Sequence, residues 1–242
     1  PGSVASTRMA GRTLILLPPS EGKAPGGEGP PWSAGSMAVG ALDAPRGLLL
    51  GAVPPTVVDP LGPTLPAIRR YTGVLYRELD PASLRGPARR RLHRDVLVVS
   101  GLWGLVAPTD PIPAYRLKMS ARVEGIGRLA PWWRPHVTAA LGERVRSTSV
   151  WDLLPAEHTA AVDWSDLAPA RRTTVRFVDR SDRVVSHWNK LLKGSLVRWL
   201  AETGARHPED LASFDHPLGY RLDPVASVFD ARRAAVVLRE QP

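Results

Sequence analysis

The stretch Asp95 to Ser100, DVLVVS, constrains the fold more than any other. Its apolar residues run without polar alternation, and Val96, Val98 and Val99 are β-branched. An uninterrupted run of this kind reads as a strand covered on both faces, as in sheets layered by helices. A second such run, Thr13 to Leu17 (TLILL), is cut off by Pro18-Pro19 and reads as a buried strand emptying into a loop. Ser149 to Leu154 (SVWDLL), Thr173 to Val178, Arg183 to Ser186 and Ala234 to Arg239 supply further strand candidates. Of these, Thr173 to Val178 and Arg183 to Ser186 are expected to be joined by a tight turn at Ser181-Asp182.

Helical patterns fall between these strands. Pro66 to Leu79 opens with proline and carries Ile68, Tyr71, Leu75 and Tyr76 near helical spacing, which predicts one helix. A basic helix follows from Pro81, with Arg85, Arg89, Arg90, Arg91 and Arg94. Gly127 to Leu141 contains Trp132-Trp133, a pair that could stack on bases but more often anchors a core. His187 to Thr203 predicts an amphipathic helix that Gly204 ends. Ala24 to Ser36 should be irregular, and Met37 to Pro63, interrupted by five prolines, has room for at most one short helix. Strands alternating with helices, with no repeat and no clean linker, predict a single mixed α/β domain over residues 9–242: a central mixed sheet flanked by helices. Residues 1–8 read as a cloning remnant ahead of a natural start at Met9.

The net charge is +9 with a sequence pI near 10.7, and the surplus is mostly arginine. That balance favours nucleic acid or a phosphorylated small molecule as partner; the plainer reading is an arginine-rich composition without an anionic ligand. Without cysteine there is no disulfide framework, thiolate nucleophile or thiolate zinc site. The six histidines lie far apart, so neither a metal nor another cofactor is expected. No apolar stretch reaches membrane-spanning length and no signal peptide precedes Leu14, which predicts a soluble cytoplasmic protein, taken as a monomer.

Four stretches can carry chemistry. PSEGK, Pro19 to Lys23, lacks both the first glycine and the trailing hydroxyl of a phosphate-binding P-loop, with Leu17 and Ala24 in those places. What survives is a strand end presenting Ser20 and Lys23, where ligands of α/β sheets gather. A lysine there can hold an anion or, once desolvated, act as nucleophile. The second stretch, SGLWGLVAPTDPIPAYRLKMS, delivers Ser100 to a sheet edge and places Asp110, Tyr115 and Arg116 close together on a proline-stiffened loop. Arg116 can clamp a phosphate or carboxylate; the plainer reading pairs it with Asp110. In VSHWNKLLKGSLVRWL, Trp188, Leu191, Leu192, Leu196 and Trp199 form one arc, and Lys190 and Lys193 point away from it. Gly194, costly inside a helix, implies a close neighbour, and His187 can serve as acid or base. Tyr71 and Tyr76 flank Gly73 in the fourth stretch.

The order PSEGK, RYTGVLY, SGLWGLVAPTDPIPAYRLKM, WW, WDLLPAEH, VVSHWNKLLKG resembles the YaaA peroxide-stress family from Leu14 to about Leu200. That resemblance implies a mixed α/β domain with a positively charged cleft, and DNA binding that limits oxidative damage during peroxide stress. A helix-hairpin-helix adds to binding there, and no reaction is firmly attached to the family. Its recurring polar positions match Ser20, Lys23, Tyr71, Tyr76, Ser100, Tyr115, Arg116, Lys190 and Lys193. The segment Ser36 to Pro63 is shorter than the helix-rich insertion of the family, which puts the helix-hairpin-helix in doubt. Two functions follow as expectations. One is DNA binding in the cleft. The other is an enzyme acting on an anionic small molecule, nucleobase or nucleotide, with Lys23 as nucleophile or base, Tyr115 as acid, His187 assisting, and Arg116 and Lys190 holding the anion. Iron handling finds no ligand cluster to support it.

Overall fold

A computed structural model describes residues 12–185 and 188–241. The run DVLVVS forms β2 (Val96–Ser100), buried at every position, and TLILL forms β1 (Arg12–Leu17), running parallel beside it. On the other side of β1 lies β4 (Thr148–Asp152), then β5 (Arg171–Val178) and β8 (Arg233–Glu240), all parallel. The antiparallel strand β3 (Gly104–Val106) closes one edge. At the other, β6 (Tyr220–Leu222) and β7 (Val228–Phe229) pair antiparallel with β8. The sheet is therefore mixed, in the order β6-β8-β5-β4-β1-β2-β3, a parallel centre between antiparallel edges. The mixed α/β domain expected from the alternation of patterns is the fold observed.

Helices complete the layers: α1 (Asp43–Ala52), α2 (Ala67–Arg70), α3 (Val74–Leu79), α4 (Gly86–Asp95), α5 (Leu129–Val145), α6 (Ala156–Thr159) and α7 (Asn189–Thr203). Gly204 ends α7 in the left-handed region, at φ 73°. Between Ser36 and Pro63 a single 3-10 turn leads into α1, so this segment holds one α-helix and not a helix pair. Trp133 is fully buried and donates from its indole to the Gly101 carbonyl at 2.8 Å. Gly104, at φ +64°, lets that ring approach: a Cβ there would lie 2.7 Å from it. Trp132 stacks edge-on against Trp133, so the pair anchors the core.

Three expectations are corrected. Pro66 to Leu79 is not one helix: Tyr71 is extended, and residues 22–24 pair with 70–72 through Ala24 N–H to the Arg70 carbonyl at 2.8 Å and Thr72 N–H to the Gly22 carbonyl at 3.1 Å. Strand pairing with the first loop outcompetes the helix there. The strand expected at Arg183 to Ser186 shrinks to a bridge between Val178 and Val184; Asp182, at φ 64°, turns the chain back, but β5 finds both sheet neighbours in β4 and β8. Ser186 lies outside the described residues. Trp188 precedes α7 as its cap residue and is 46% exposed, and the buried set of the helix is Leu192, Gly194, Leu196, Val197, Leu200 and Ala201. That broader face arises because the helix is packed against both α3 and α4.

Candidate functional site

Strand β1 is the point at which the sheet order reverses. The chain leaves it for β2 on one side and later returns to β4 on the other. In open α/β sheets such a point opens a crevice beyond the carboxyl ends of the strands, where ligands bind. A cleft of about 700 Å³ lies here, walled by residues 18–23 after β1, residues 155–158 after β4, residues 72–77 around the helix break, residues 116–118 and Lys190 of α7.

Lys23 lies in the wall of this cleft. Its Nζ donates to the Ser20 carbonyl at 2.7 Å and lies 4.1 Å from the centre of the Tyr115 ring. Burial lowers its pKa from the usual 10.5 to about 8, with Glu21 opposing the shift and Arg116 and Arg70 adding to it. Behind it, Tyr115 Oη is linked to Tyr71 Oη at 2.9 Å and to Ser100 Oγ at 2.8 Å. Ser100 Oγ accepts from the N–H groups of Leu102 and Trp103, both at 3.2 Å. Burial pushes the Tyr115 phenol up to about 12 and those of Tyr71 and Tyr76 well above their usual value. This relay is buried and does not line the cleft; it supports Lys23 from beneath. Ser20 Oγ accepts from the Gly73 N–H at 2.6 Å, fixing the first loop to the helix break. Tyr76 lines the cleft and donates to the Pro18 carbonyl at 2.8 Å.

The rim is cationic. Arg77, Arg116 and Lys190 are exposed, line the cleft, and have no carboxylate partner within ion-pair distance among the described residues. Lys118 also lines it, paired with Glu21 at 3.1 Å. Arg116 does not pair with Asp110, whose buried carboxylate accepts instead from the N–H groups of Ala38 and Ala107, each at 2.8 Å. Lys193 is not on a solvated face: its Nζ donates to the Leu153 carbonyl at 2.8 Å and burial lowers its pKa. His187 lies outside the described residues. Gly194 does mark a close approach, since a Cβ there would stand 2.3 Å from the Leu75 carbonyl oxygen.

The structure thus gathers Ser20, Lys23, Tyr76, Arg116 and Lys190 at one cleft, places Tyr71, Ser100 and Tyr115 behind it, and turns Lys193 away. Sequence reasoning passed over His158, which lines the cleft from α6. Its signal was the same as for Lys23: WDLLPAEH leaves the carboxyl end of a central strand. Among the described residues no group of three or more His, Asp or Glu is arranged to hold a metal, and no helix is long and apolar enough to cross a membrane.

A family model described as Peroxide stress protein YaaA matches residues 55–226. The chain belongs to the YaaA peroxide-stress family. The match includes Tyr71, Ser100, Tyr115, Arg116, His158 and Lys190 and begins after Ser20 and Lys23. A UPF0246 protein of Streptomyces coelicolor is 38% identical, over 88% of this chain and 93% of the relative. A UPF0246 protein of Corynebacterium glutamicum is 33% identical, over 85% and 93%. One of Chromobacterium violaceum is 34% identical, over 66% and 65%. The wall residues at 72–77, 116–118 and 155–158 all fall inside the stretch matched by the YaaA model.

Proposed function

We propose that this YaaA-family chain serves peroxide defence by binding nucleic acid through the cationic rim of its cleft. The observation that carries this reading is the set Arg77, Arg116 and Lys190, exposed around one opening without carboxylate partners among the described residues. Cations left unpaired by the protein's own acids are available to phosphates. The cleft sits where an α/β sheet offers a ligand its backbone N–H groups and strand ends. With one α-helix in the segment 36–63, binding rests on the cleft and not on a helix-hairpin-helix. Affinity for short single-stranded and duplex DNA should fall linearly on a log–log plot against salt, with a slope of about −2 to −3 for two or three phosphates neutralised. Absence of binding to either form at low salt would refute this function.

A second reading is favoured by Lys23. A phosphate-binding lysine gains from keeping its charge, whereas this one is desolvated and discharges near pH 8. Perturbed titration of that kind is frequent where an amine acts as nucleophile or base. On this reading the cleft is an enzyme site for an anionic metabolite, nucleobase or nucleotide, with Lys23 reactive and Arg116 and Lys190 as anion clamps. A Lys23 amine that titrates like an ordinary lysine would remove its ground.

A further inference from the structure

His158 is 5% exposed, and neither ring nitrogen has a hydrogen-bond partner among the described residues. A Glu157 carboxylate oxygen lies 3.5 Å from Nδ1, within ion-pair distance but not hydrogen-bonded to it. A buried imidazole left in this state costs about 1–3 kcal/mol, so it calls for a partner from outside the chain. His158 is one of the residues that line the cleft, with both ring nitrogens covered, so a ligand reaches them by a small turn of the side chain. Burial keeps it neutral by lowering its pKa, and the charge of Lys193 acts the same way against Glu157. A neutral imidazole presents one donor and one acceptor.

The rest of the cleft narrows the choice of ligand. Pro18, Pro19, Pro155 and Leu117 give it apolar surface, while Arg77, Arg116 and Lys190 hold positive charge at the opening. A simple anion would satisfy the cations and leave both the apolar surface and the imidazole unused. A ligand that satisfies all three carries phosphate, a flat apolar face and an edge with mixed donors and acceptors. The volume of about 700 Å³ is ample for one such unit.

We infer that the cleft holds a single nucleotide unit, its phosphate on the rim cations and its base edge hydrogen-bonded to His158. This rests on the anion-binding reading of the rim given above. The unit arrives either as a free nucleotide or as one nucleotide of a strand turned out of its stack, and the chemistry of the contact is the same.

The test follows the histidine ring signals of the wild-type protein by NMR, with His158→Gln used to assign its resonance. Inorganic phosphate, ribose 5-phosphate, the four deoxynucleoside monophosphates and a short single-stranded oligonucleotide are titrated in turn. The His158 ring nitrogens should shift with nucleotides or with the oligonucleotide, and not with phosphate or ribose phosphate. A shift with mononucleotides identifies a free nucleotide as the source, and a shift with the oligonucleotide alone identifies a strand; either supports the inference. His158→Leu should bind the responding ligand about tenfold more weakly, the size of one lost hydrogen bond, while His158→Gln retains part of that affinity. If phosphate and nucleotides bind equally and the His158 signal stays still, the nucleotide site is refuted and the cationic rim stands. If nothing binds at low salt, the anion-binding reading falls as well.

Discussion

Lys23 is the residue on which the two functional readings part. Its ammonium is held among a loop carbonyl, an aromatic face and nearby guanidinium groups, and burial dominates the result. In the folded chain the amine gives up its proton near pH 8, against 10.5 for a free lysine. Between those values the unfolded chain binds a proton that the folded chain has released, so this group makes folding more favourable as pH rises through that window. Its unfavourable contribution is full below pH 8. Competitive acylation across pH should therefore give Lys23 a half-maximal rate near pH 8, and Lys23→Met should flatten the rise of stability between about 8 and 10.5. A midpoint near 10.5 would show that the amine is as well solvated as any surface lysine. Tyr115, expected as an acid, sits beneath this amine with its phenol pushed up to about 12, which suits it to orient Lys23 through ring and relay more than to donate a proton near neutrality.

Among the elements, α3 and α7 show how far sequence patterns reach. Gly194 inside a helix pattern announced a close neighbour, and the neighbour is the Leu75 carbonyl of α3, the helix that lines the cleft with Val74, Leu75 and Tyr76. Alanine has about 1 kcal/mol better helix propensity than glycine, but here its Cβ would meet the carbonyl at 2.3 Å and Glu78 Cβ at 2.9 Å. Overpacking costs about 1–3 kcal/mol, so the clash should win. Gly194→Ala is expected to lower Tm by roughly 2–6 °C in a thermal melt; an unchanged or raised Tm would mean that α3 moves aside freely. The strands β1, β2 and β8 were legible because their apolar runs leave little alternative in a covered sheet. The helix break at Tyr71 was not, because its cause is pairing with residues 22–24, some fifty positions earlier, and local periodicity carries no record of that. His158 was missed for the converse reason: an isolated histidine looks alike in sequence whether it is satisfied or orphaned.

At the scale of the molecule, the charge of +9 overstates what is free to meet a ligand. Arg46 donates inward to the carbonyls of Val39, Trp103 and Leu105, and Arg70 clamps those of Ile112 and Pro63. Arg91 caps the last turn of α7 at the Ala201 and Glu202 carbonyls, and Arg172 pairs with buried Asp152. The arginine-rich stretch that drew attention in the sequence is thus partly structural; Arg94 is exposed but paired with Asp95, and the exposed α4 arginines without a carboxylate partner among the described residues, Arg89 and Arg90, lie away from the residues lining the cleft. This separation makes a charge-matched test possible. Arg116→Glu/Lys190→Glu and Arg89→Glu/Arg90→Glu change net charge equally, so long-range steering should weaken equally in both. If nucleic acid docks at the cleft, the first pair should weaken oligonucleotide binding by tenfold or more and flatten the salt slope by about two, as two phosphate contacts disappear. The second pair should change affinity only a few-fold at low salt and leave the slope nearly as it was. Equal losses from both pairs would mean that the partner responds to overall charge, and the cleft would lose its claim to the phosphate backbone.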